Sequence, residues 1–453
     1  MKSFPSHNTV SSPSMLIALS FIILLLLSLT IVSIISFSQI SYAQEPQYTA
    51  IYNNNNKATV NNISDNVGDS VYSQIAASKD NMYMVWQDNI FGNSDRNYDI
   101  LFKLSTDGGA TFSKPINLSN NTGLSEHPQI AAYGNNVYVV WADDTSIADR
   151  EILFTKSTDG GATFSKPINL SNNIGDSYNQ EITVFENNVY VVWQDHQDSS
   201  SGSKSSSSIF FKSSTDGGAT FESLKNLSTN EGALSLSLSS SYPKVAAYRG
   251  NVYVVWDHTD NNVDSKNSNT NSSIFFTKSA DNGDTFGEVI RLNYNEKSGE
   301  PQIAAYENNV YVVWGSSLVS SPSSNNKNSN TNSSIFFTKS ADNGDNFIHP
   351  LLITDKFKNL INVEIVEYTN TLYIAWDGSS IINTNSNRTE NDGEIFITKS
   401  TDKGATFIDA KNLSNNNGVS ECPSIAISGN NRYLVWEDLT PGNHEILFSR
   451  IML

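Results

Sequence analysis

A strand that ends in tryptophan recurs along this chain and constrains its fold more than any other feature. All seven tryptophans follow a β-rich run such as residues 137–141 (VYVVW), and they recur every 52 to 63 residues. They are Trp86, Trp141, Trp193, Trp256, Trp314, Trp376 and Trp436. In the clearest copy, the tripeptide at 134–136 (GNN) separates two such runs, which is a hairpin signal. Self-similarity at this period predicts an array of like β units.

A second motif supplies a turn after the third strand of a unit. The pattern S-[TA]-D-x-G-[AD]-[TN]-F occurs six times. Its aspartates are Asp107, Asp159, Asp216, Asp281, Asp342 and Asp402. We expect each carboxylate to accept backbone N–H groups across the turn and the glycine to supply a positive φ. The closing phenylalanine is expected to pack under the turn into its own sheet.

Four strands per unit, repeated radially, indicate an all-β chain that forms a seven-bladed β-propeller of four-stranded blades. The last unit stops at its third strand, residues 445–450, whereas residues 57–66 resemble a fourth strand and its exit. We therefore expect the N-terminal strand to complete the last blade and to leave no open sheet edge. A six-bladed ring with one degenerate unit is the alternative.

The six turns resemble the Asp-box, or bacterial neuraminidase repeat, of sialidase-like β-propellers. The resemblance covers nearly all of residues 57–453 and implies fold and superfamily more than activity, because the box is a structural turn in that family. Family sialidases are six-bladed and use three arginines, one in an F/Y-R-I-P motif, with a Tyr–Glu pair and an Asp. This chain has no F/Y-R-I-P, and only Arg96, Arg150 and Arg388 fall in loops of the expected functional face. The resemblance therefore assigns no catalytic residue here.

Charge and cysteine content exclude several classes of function. The formal net charge is −18, from 46 Asp+Glu against 28 Lys+Arg, so little is available to neutralise phosphates and nucleic-acid binding is not expected. The single cysteine, Cys422, excludes an internal disulfide and a multi-cysteine zinc site. No cofactor is expected, with Ca²⁺ as the one ion that an acidic face would suit. We expect a monomer.

The N-terminus predicts export. Residues 15–37 are almost wholly apolar, and residues 41–43 (SYA) follow them. Residues 1–43 are therefore a signal peptide or an uncleaved N-terminal membrane anchor, residues 44–56 a linker and residues 57–453 the propeller. Both alternatives give an extracellular or cell-surface location, with the membrane contacted only through this segment. Nine N-x-S/T sequons would accept glycans in a glycosylating host.

Acidic residues recur where the loops of the open face are expected. Those that follow the unit tryptophans are Asp88, Asp143, Asp195, Asp257, Asp377 and Glu437. Those expected in the loops before a first strand include Glu126, Glu300 and Glu421. A ring of carboxylates would focus negative potential and suit a hard cation, and a close pair would suit glycoside hydrolysis. The alternative is that each aspartate closes its own strand by turn bonding.

These observations favour a secreted or surface-tethered, non-catalytic propeller that binds a glycan or a surface protein of the cell envelope. The alternative is an exo-α-sialidase-like glycoside hydrolase. Four low-complexity insertions are expected over the same open face and cannot bury apolar area. They are residues 199–208, 261–273, 320–334 and 381–392.

Overall fold

The computed structural model describes residues 47–48, 60–89, 97–144, 149–173, 175–196, 207–228, 238–260, 272–293, 298–317, 332–380 and 393–451. The elements within these ranges are 28 β-strands. The predicted signal peptide or anchor lies outside the described residues, as does most of the four insertions. Among the residues that are described, no helix is long and apolar enough to cross a bilayer.

The strands follow the predicted repeat, and each tryptophan lies on the second strand of a unit. Unit 1 contains β3 (Ser70–Ser78), β4 (Asn81–Asp88), β5 (Asp99–Ser105) and β6 (Ile116–Asn117). Unit 2 contains β7 (Ser125–Tyr133), β8 (Asn136–Asp143), β9 (Glu151–Ser157) and β10 (Ile168–Asn169). Unit 3 contains β11 (Ser177–Phe185), β12 (Asn188–His196), β13 (Ser207–Ser214) and β14 (Lys225–Asn226). Unit 4 contains β15 (Leu238–Tyr248), β16 (Asn251–Asp260), β17 (Ser272–Ser279) and β18 (Ile290–Arg291).

Units 5 and 6 share one strand. Unit 5 contains β19 (Ser298–Tyr306), β20 (Asn309–Ser317) and β21 (Asn332–Ser340), and unit 6 contains β23 (Thr371–Ser380), β24 (Glu394–Ser400) and β25 (Lys411–Asn412). The 18-residue β22 (Leu351–Tyr368) pairs with β21 through its first half and with β23 through its second. This stretch lacks the Asn-Leu-Ser sequence found at the short fourth strand of units 1, 2, 3 and 6. It runs on extended and joins units 5 and 6 in one seven-stranded sheet.

Unit 7 is completed by the beginning of the chain, as the sequence predicts. It contains β26 (Ser420–Ser428), β27 (Asn431–Asp438) and β28 (Glu445–Ile451), and β2 (Val60–Asn62) pairs antiparallel with β28. The predicted linker also contains a strand, β1 (Gln47–Tyr48), which pairs with β2. This pairing covers an edge that β2 would otherwise leave with free N–H and C=O groups.

The first strands of the units pack against one another in chain order. Contacts run from β3 to β7, β11, β15, β19, β22 and β26, and β26 in turn contacts β3. Each first strand carries a bulge, seen as a register shift against its second strand. A bulge leaves one residue unpaired and re-aims its side chain.

The aspartate turns have the predicted hydrogen bonds. In the first, Asp107 Oδ1 accepts from the backbone N–H of Thr111 at 2.9 Å and Oδ2 accepts from Thr111 Oγ1 at 2.6 Å. Ser105 Oγ donates to Asp107 and accepts from Gly109 N at 2.9 Å. The hydrogen bonds from Thr111 hold the pKa of Asp107 at about 2. The other five turns repeat these bonds, with Asn346 in place of threonine in one of them.

The turn phenylalanine packs against the preceding unit rather than into its own sheet, which corrects the expectation from sequence. Phe286 of unit 4 contacts Phe211 of unit 3 edge to face, with ring centroids 4.9 Å apart. Phe112 of unit 1 meets Phe448 of unit 7 in the same way at 5.2 Å. The aspartate turns therefore join neighbouring units, because each one seats an aromatic ring on the third strand of the unit before it.

Several predicted sequons are part of the exit turn after the fourth strand. Asn169 Oδ1 accepts from Asn172 N at 2.8 Å, and Ser171 Oγ accepts from Ile152 N at 2.9 Å. Asn62 makes the equivalent bond to Asp65 N at 3.0 Å and is only 2% exposed. The repeat of Asn-Leu-Ser thus has a structural use, and Asn62 has no room for a glycan in the folded chain.

Candidate functional site

Three of the predicted acids stand two positions after the unit tryptophan and are buried within their sheets. They are Asp88, Asp143 and Asp195. Asp88 Oδ2 accepts from Trp86 Nε1 at 2.9 Å, from Ser70 Oγ at 2.7 Å and from Asn66 Nδ2 at 2.8 Å. Asp143 repeats all three bonds, and Asp438 does so in unit 7. Asp195 accepts from Ser177 Oγ and Asn173 Nδ2, but Trp193 Nε1 has no partner among the described residues. These carboxylates therefore bond mainly to donors of their own unit.

Three other acids stand one position after the tryptophan and point to the opposite side of the strand. They are Asp257, Asp377 and Glu437. Glu437 Oε1 accepts from Tyr72 N of the next unit at 2.6 Å, and its burial raises its pKa to about 7. Gln87 occupies this position in unit 1 and accepts from His127 N at 2.8 Å. Side chains at this position therefore link a unit to the first-strand bulge of the next unit.

The remaining three acids belong to the first strands. Glu126 forms an ion pair with Arg150, with 3.3 Å between Oε2 and Nη2. Glu300 is itself a bulge residue with φ +51°, and burial raises its pKa. Glu421 lies near enough to Asp377 to add to the rise in pKa that burial causes there. The nine acids thus occupy three environments, and the structure does not gather them into one cluster.

Apart from Glu300, the bulge residues were not among the sites predicted from sequence. All have φ near +50°, an uncommon backbone conformation for residues other than glycine, and they recur at one position in the seven first strands. They are Tyr72, His127, Asn179, Tyr242, Glu300, Asn362 and Cys422. A signal was present, because proline follows this position in four units and proline within a strand is typical of a bulge. Burial raises the pKa of the Cys422 thiol, so it is not a reactive thiolate.

A cavity of about 330 Å³ opens where units 4, 5 and 6 meet. Unit 4 contributes Tyr242, Asp257 and Ser272 to its wall; unit 5 contributes Ser298, Gly299, Glu300, Gly315, Ser316 and Ser333; and β22 contributes Leu360, Ile361, Asn362 and Val363. Its lining therefore combines two carboxyls, several hydroxyls, a carboxamide and an apolar wall. We call this cavity the 4–6 pocket.

The pocket lies where the repeat departs from its own pattern. Two positions after the tryptophan, units 4, 5 and 6 have His258, Ser316 and Gly378 instead of the buried aspartate. One position after it, unit 5 has Gly315 where other units carry a side chain such as Gln87. A Cβ added to Gly315 would have Leu360 Cδ2 as its nearest neighbour, at 3.7 Å. The missing side chain leaves space that β22 does not fill.

Some buried polar atoms in this region have no hydrogen-bond partner among the described residues. Ser316 Oγ lines the pocket, Ser316 is 4% exposed, and the oxygen has no hydrogen-bond partner among the described residues. Trp314 Nε1 and Trp376 Nε1 also lack the acceptor that Asp88 offers to Trp86, as does Trp193 Nε1 in unit 3, where Asp195 is present. A buried hydroxyl without a partner costs about 1–3 kcal/mol, which a ligand can recover by bonding to it.

A charged network occupies the first strands beside the pocket. Lys244 Nζ lies 2.6 Å from Glu181 Oε2, and both side chains are about one-fifth exposed. Burial raises the pKa of Glu364 to about 7, while Lys244 opposes the rise. The lysine charge also lowers the pKa of Glu300 against the larger effect of its burial. Lys244 is thus already paired with acidic groups of neighbouring units.

Among the residues that the structure describes, no group of three or more His, Cys, Asp or Glu is placed to hold a metal ion. Calcium binding stays a prediction. Of the three arginines expected on the functional face, Arg150 pairs with Glu126, and Arg96 and Arg388 lie outside the described residues. The described lining of the 4–6 pocket contains no arginine, so it offers no guanidinium for a substrate carboxylate.

No protein-family model matches the sequence, and no curated protein matches it either. Among solved structures, the chain is similar to an ulvan lyase described as a new family of polysaccharide lyase, with a TM-score of 0.58 and 10% identity over 85% of this chain and 94% of that one. It is also similar to the phage phi92 endosialidase, with a TM-score of 0.48 and 11% identity over 87% of this chain and 69% of that one. For Trypanosoma rangeli sialidase the TM-score is 0.46 at 11% identity, over 90% of this chain and 57% of the sialidase. The likeness to the ulvan lyase concerns the fold and, with the repeated four-stranded sheets, supports a β-propeller.

Proposed function

We propose that this chain is a secreted or surface-tethered, non-catalytic β-propeller that binds a carbohydrate of the cell envelope in the 4–6 pocket. The lining of that pocket carries the proposal. Its hydroxyl, carboxyl and carboxamide groups suit sugar hydroxyls, and Leu360, Ile361 and Val363 suit the C–H faces of a sugar ring. The buried, unpartnered Ser316 Oγ gives the ligand a specific bond to make. A surface protein as the partner stays a prediction from sequence.

The proposal includes a closed ring of seven blades. It is supported by the pairing of β2 with β28, by the contact of β26 with β3 and by the packing of Phe112 on Phe448. These three contacts join the first and last units through an outer strand, an inner strand and a turn. In such a ring the 4–6 pocket occupies one sector, which suits recognition of a short stretch of a glycan.

The pocket can be tested by filling it with a residue that the repeat already uses. Gly315→Gln introduces the side chain found at the same position in units 1 and 3, and Ala142→Gln makes the matched change in unit 2. We expect retardation of the full-length protein by at least one polysaccharide in affinity electrophoresis, loss of that retardation in Gly315→Gln and no such loss in Ala142→Gln. Retardation that survives Gly315→Gln, in a variant with unchanged circular dichroism, would contradict the assignment of this pocket.

Glycoside hydrolysis is the second candidate, and one observation favours it. Burial raises the pKa of Asp257 to about 7, with Glu300 in the same pocket adding to the rise, so this carboxyl is partly protonated at neutral pH as a general acid must be. A panel of fluorogenic glycosides, sialosides included, separates the two functions. Turnover that Asp257→Asn abolishes would replace the binding proposal, whereas binding without turnover supports it.

A further inference from the structure

The 4–6 pocket has a charge that restricts which saccharides it can bind. We propose that it takes a saccharide bearing a protonated amine and rejects saccharides bearing a carboxylate. This inference rests on the proposed carbohydrate-binding function and names the ligand class of the same site. Three observations support it. The pocket has two carboxyl groups, its Ser316 hydroxyl has no partner among the described residues, and Lys244 beside it is already paired with other acids.

Asp257 and Glu300 are the carboxyl groups of the described lining, which contains no lysine, arginine or histidine. Burial raises the pKa of both, and an ammonium group placed beside them would favour their ionised, negatively charged forms. Asp257 Oδ1 accepts from Ser272 Oγ at 2.6 Å. Its other oxygen, Oδ2, lies beside Gly299, where a Cβ would approach to 3.1 Å. Thr259 also hydrogen-bonds this carboxyl, and glycine at position 299 avoids a Cβ that would crowd Asp257 Oδ2.

The positive charge of Lys244 offsets this negative charge only in part, because it acts on several acids at once. Lys244 is held by Glu181 at 2.6 Å and interacts with Glu364 as well as with Glu300. The whole chain has a net charge of −18, so the field beyond the pocket has the same sign. A carboxylate entering this pocket would meet two acids and no cation in its described lining, whereas an ammonium group would gain charge-assisted hydrogen bonds.

The pocket also offers a hydroxyl group, that of Ser316, which is independent of its two acids. Its hydroxyl is buried and without a partner among the described residues, and it lies on unit 5 in the same lining as Asp257 of unit 4 and Asn362 of β22. A sugar hydroxyl bonded to Ser316 Oγ and an ammonium bonded to Asp257 would thus be held from two units at once. Amino sugars have both groups on one ring, which makes them the ligand class that fits this lining.

The inference is tested by titration calorimetry of the full-length protein with three oligosaccharides of equal length at neutral pH. The probes are a glucosamine oligomer with free amines, its N-acetylated form and an oligogalacturonate. We expect the free-amine oligomer to bind at least about tenfold more tightly than the N-acetylated one, as one charge-assisted bond can provide, and the oligogalacturonate to give no heat of binding. Asp257→Asn should remove most of that tenfold difference and leave the N-acetylated oligomer nearly unaffected.

The Gly315→Gln and Ala142→Gln variants separate this inference from the proposed function. Amine-selective binding that only Gly315→Gln abolishes supports both. Equal or tighter binding of the N-acetylated oligomer or the oligogalacturonate, lost in Gly315→Gln, overturns the inference and leaves carbohydrate binding intact. If none of the three oligosaccharides binds while a polysaccharide still retards the protein in a way that Gly315→Gln abolishes, the inference falls and carbohydrate binding stands. If Gly315→Gln binds as the unmodified protein does, or if no polysaccharide retards the protein, the proposed function falls and the inference falls with it.

Discussion

Replacing the turn glycine Gly283 by alanine tests whether the aspartate turns hold neighbouring units together. This residue has φ +87°, and a Cβ on it would lie 2.5 Å from Cζ and 2.7 Å from Cε1 of Phe211 in the preceding unit. The ring cannot move away easily. It is fully buried, stacked with Tyr190 and held at its edge by Phe286. The new methyl group must therefore displace the packing between units 3 and 4.

Two costs add at this position, and a second glycine separates them. A left-handed backbone conformation costs alanine about 1–2 kcal/mol, and overpacking a filled interface costs a further ~1–3 kcal/mol. Gly134 has φ +62° in the hairpin turn of unit 2, and a Cβ there would have no described atom within 4 Å. Gly134→Ala should therefore lower the unfolding free energy by only about 1–2 kcal/mol, from the backbone conformation alone. Gly283→Ala should lower it by about 2–5 kcal/mol, because the overpacking is added.

Urea unfolding followed by tryptophan fluorescence measures both variants, because all seven tryptophans are buried in the units. Phe211→Leu shortens the ring that the new methyl group strikes, so the double variant should lose less stability than the two single changes combined. Equal losses for Gly283→Ala and Gly134→Ala, with no coupling to Phe211→Leu, would refute the idea that this turn packs tightly on the preceding unit.

Three further predictions concern the buried network and the titrating carboxyls. Asp88→Ala leaves two buried donors unpartnered and should lower the unfolding free energy by about 2–4 kcal/mol in the same urea assay. Asp80 is exposed, so Asp80→Ala should lower it by less than ~0.5 kcal/mol. A similar small loss in both variants would contradict the hydrogen-bond network. Because burial raises the pKa of Glu437 to about 7, its contribution to stability is complete below about pH 4 and is lost as pH rises through 7. Melting temperatures should therefore fall less between pH 5 and pH 8 in Glu437→Gln than in the unmodified protein, and parallel curves would count against this. Hydrogen bonds lower the pKa of Asp159 to about 2, so its turn should contribute fully to stability above about pH 4 and lose that contribution as pH falls through 2. A carboxyl chemical shift of Asp159 that titrates near pH 4 would show that these hydrogen bonds are absent.

The candidate site could be predicted only in part. The spacing of the acids after each tryptophan was visible, but a difference of one position decides their role, because alternate residues of a strand face opposite sides. Asp88 therefore bonds inside its unit, whereas Glu437 reaches the bulge of the next unit. The sequence analysis places both residues in the same set of acids on the open face. It does so because the sequence does not show on which face of the strand the last side chain lies.

The amino-acid sequence by itself determined the repeat, the aspartate turns and the pairing of the first strand segment with the last unit. These features depend on hydrogen bonds over a few residues, or on one segment that matches a pattern seen elsewhere in the chain. The tertiary structure alone decided that Phe286 packs on Phe211 and that Asp257, Ser316 and Asn362 line one pocket. Residues roughly one repeat apart meet only when units pack side by side, and the pocket arises from what a unit lacks, which no local pattern encodes.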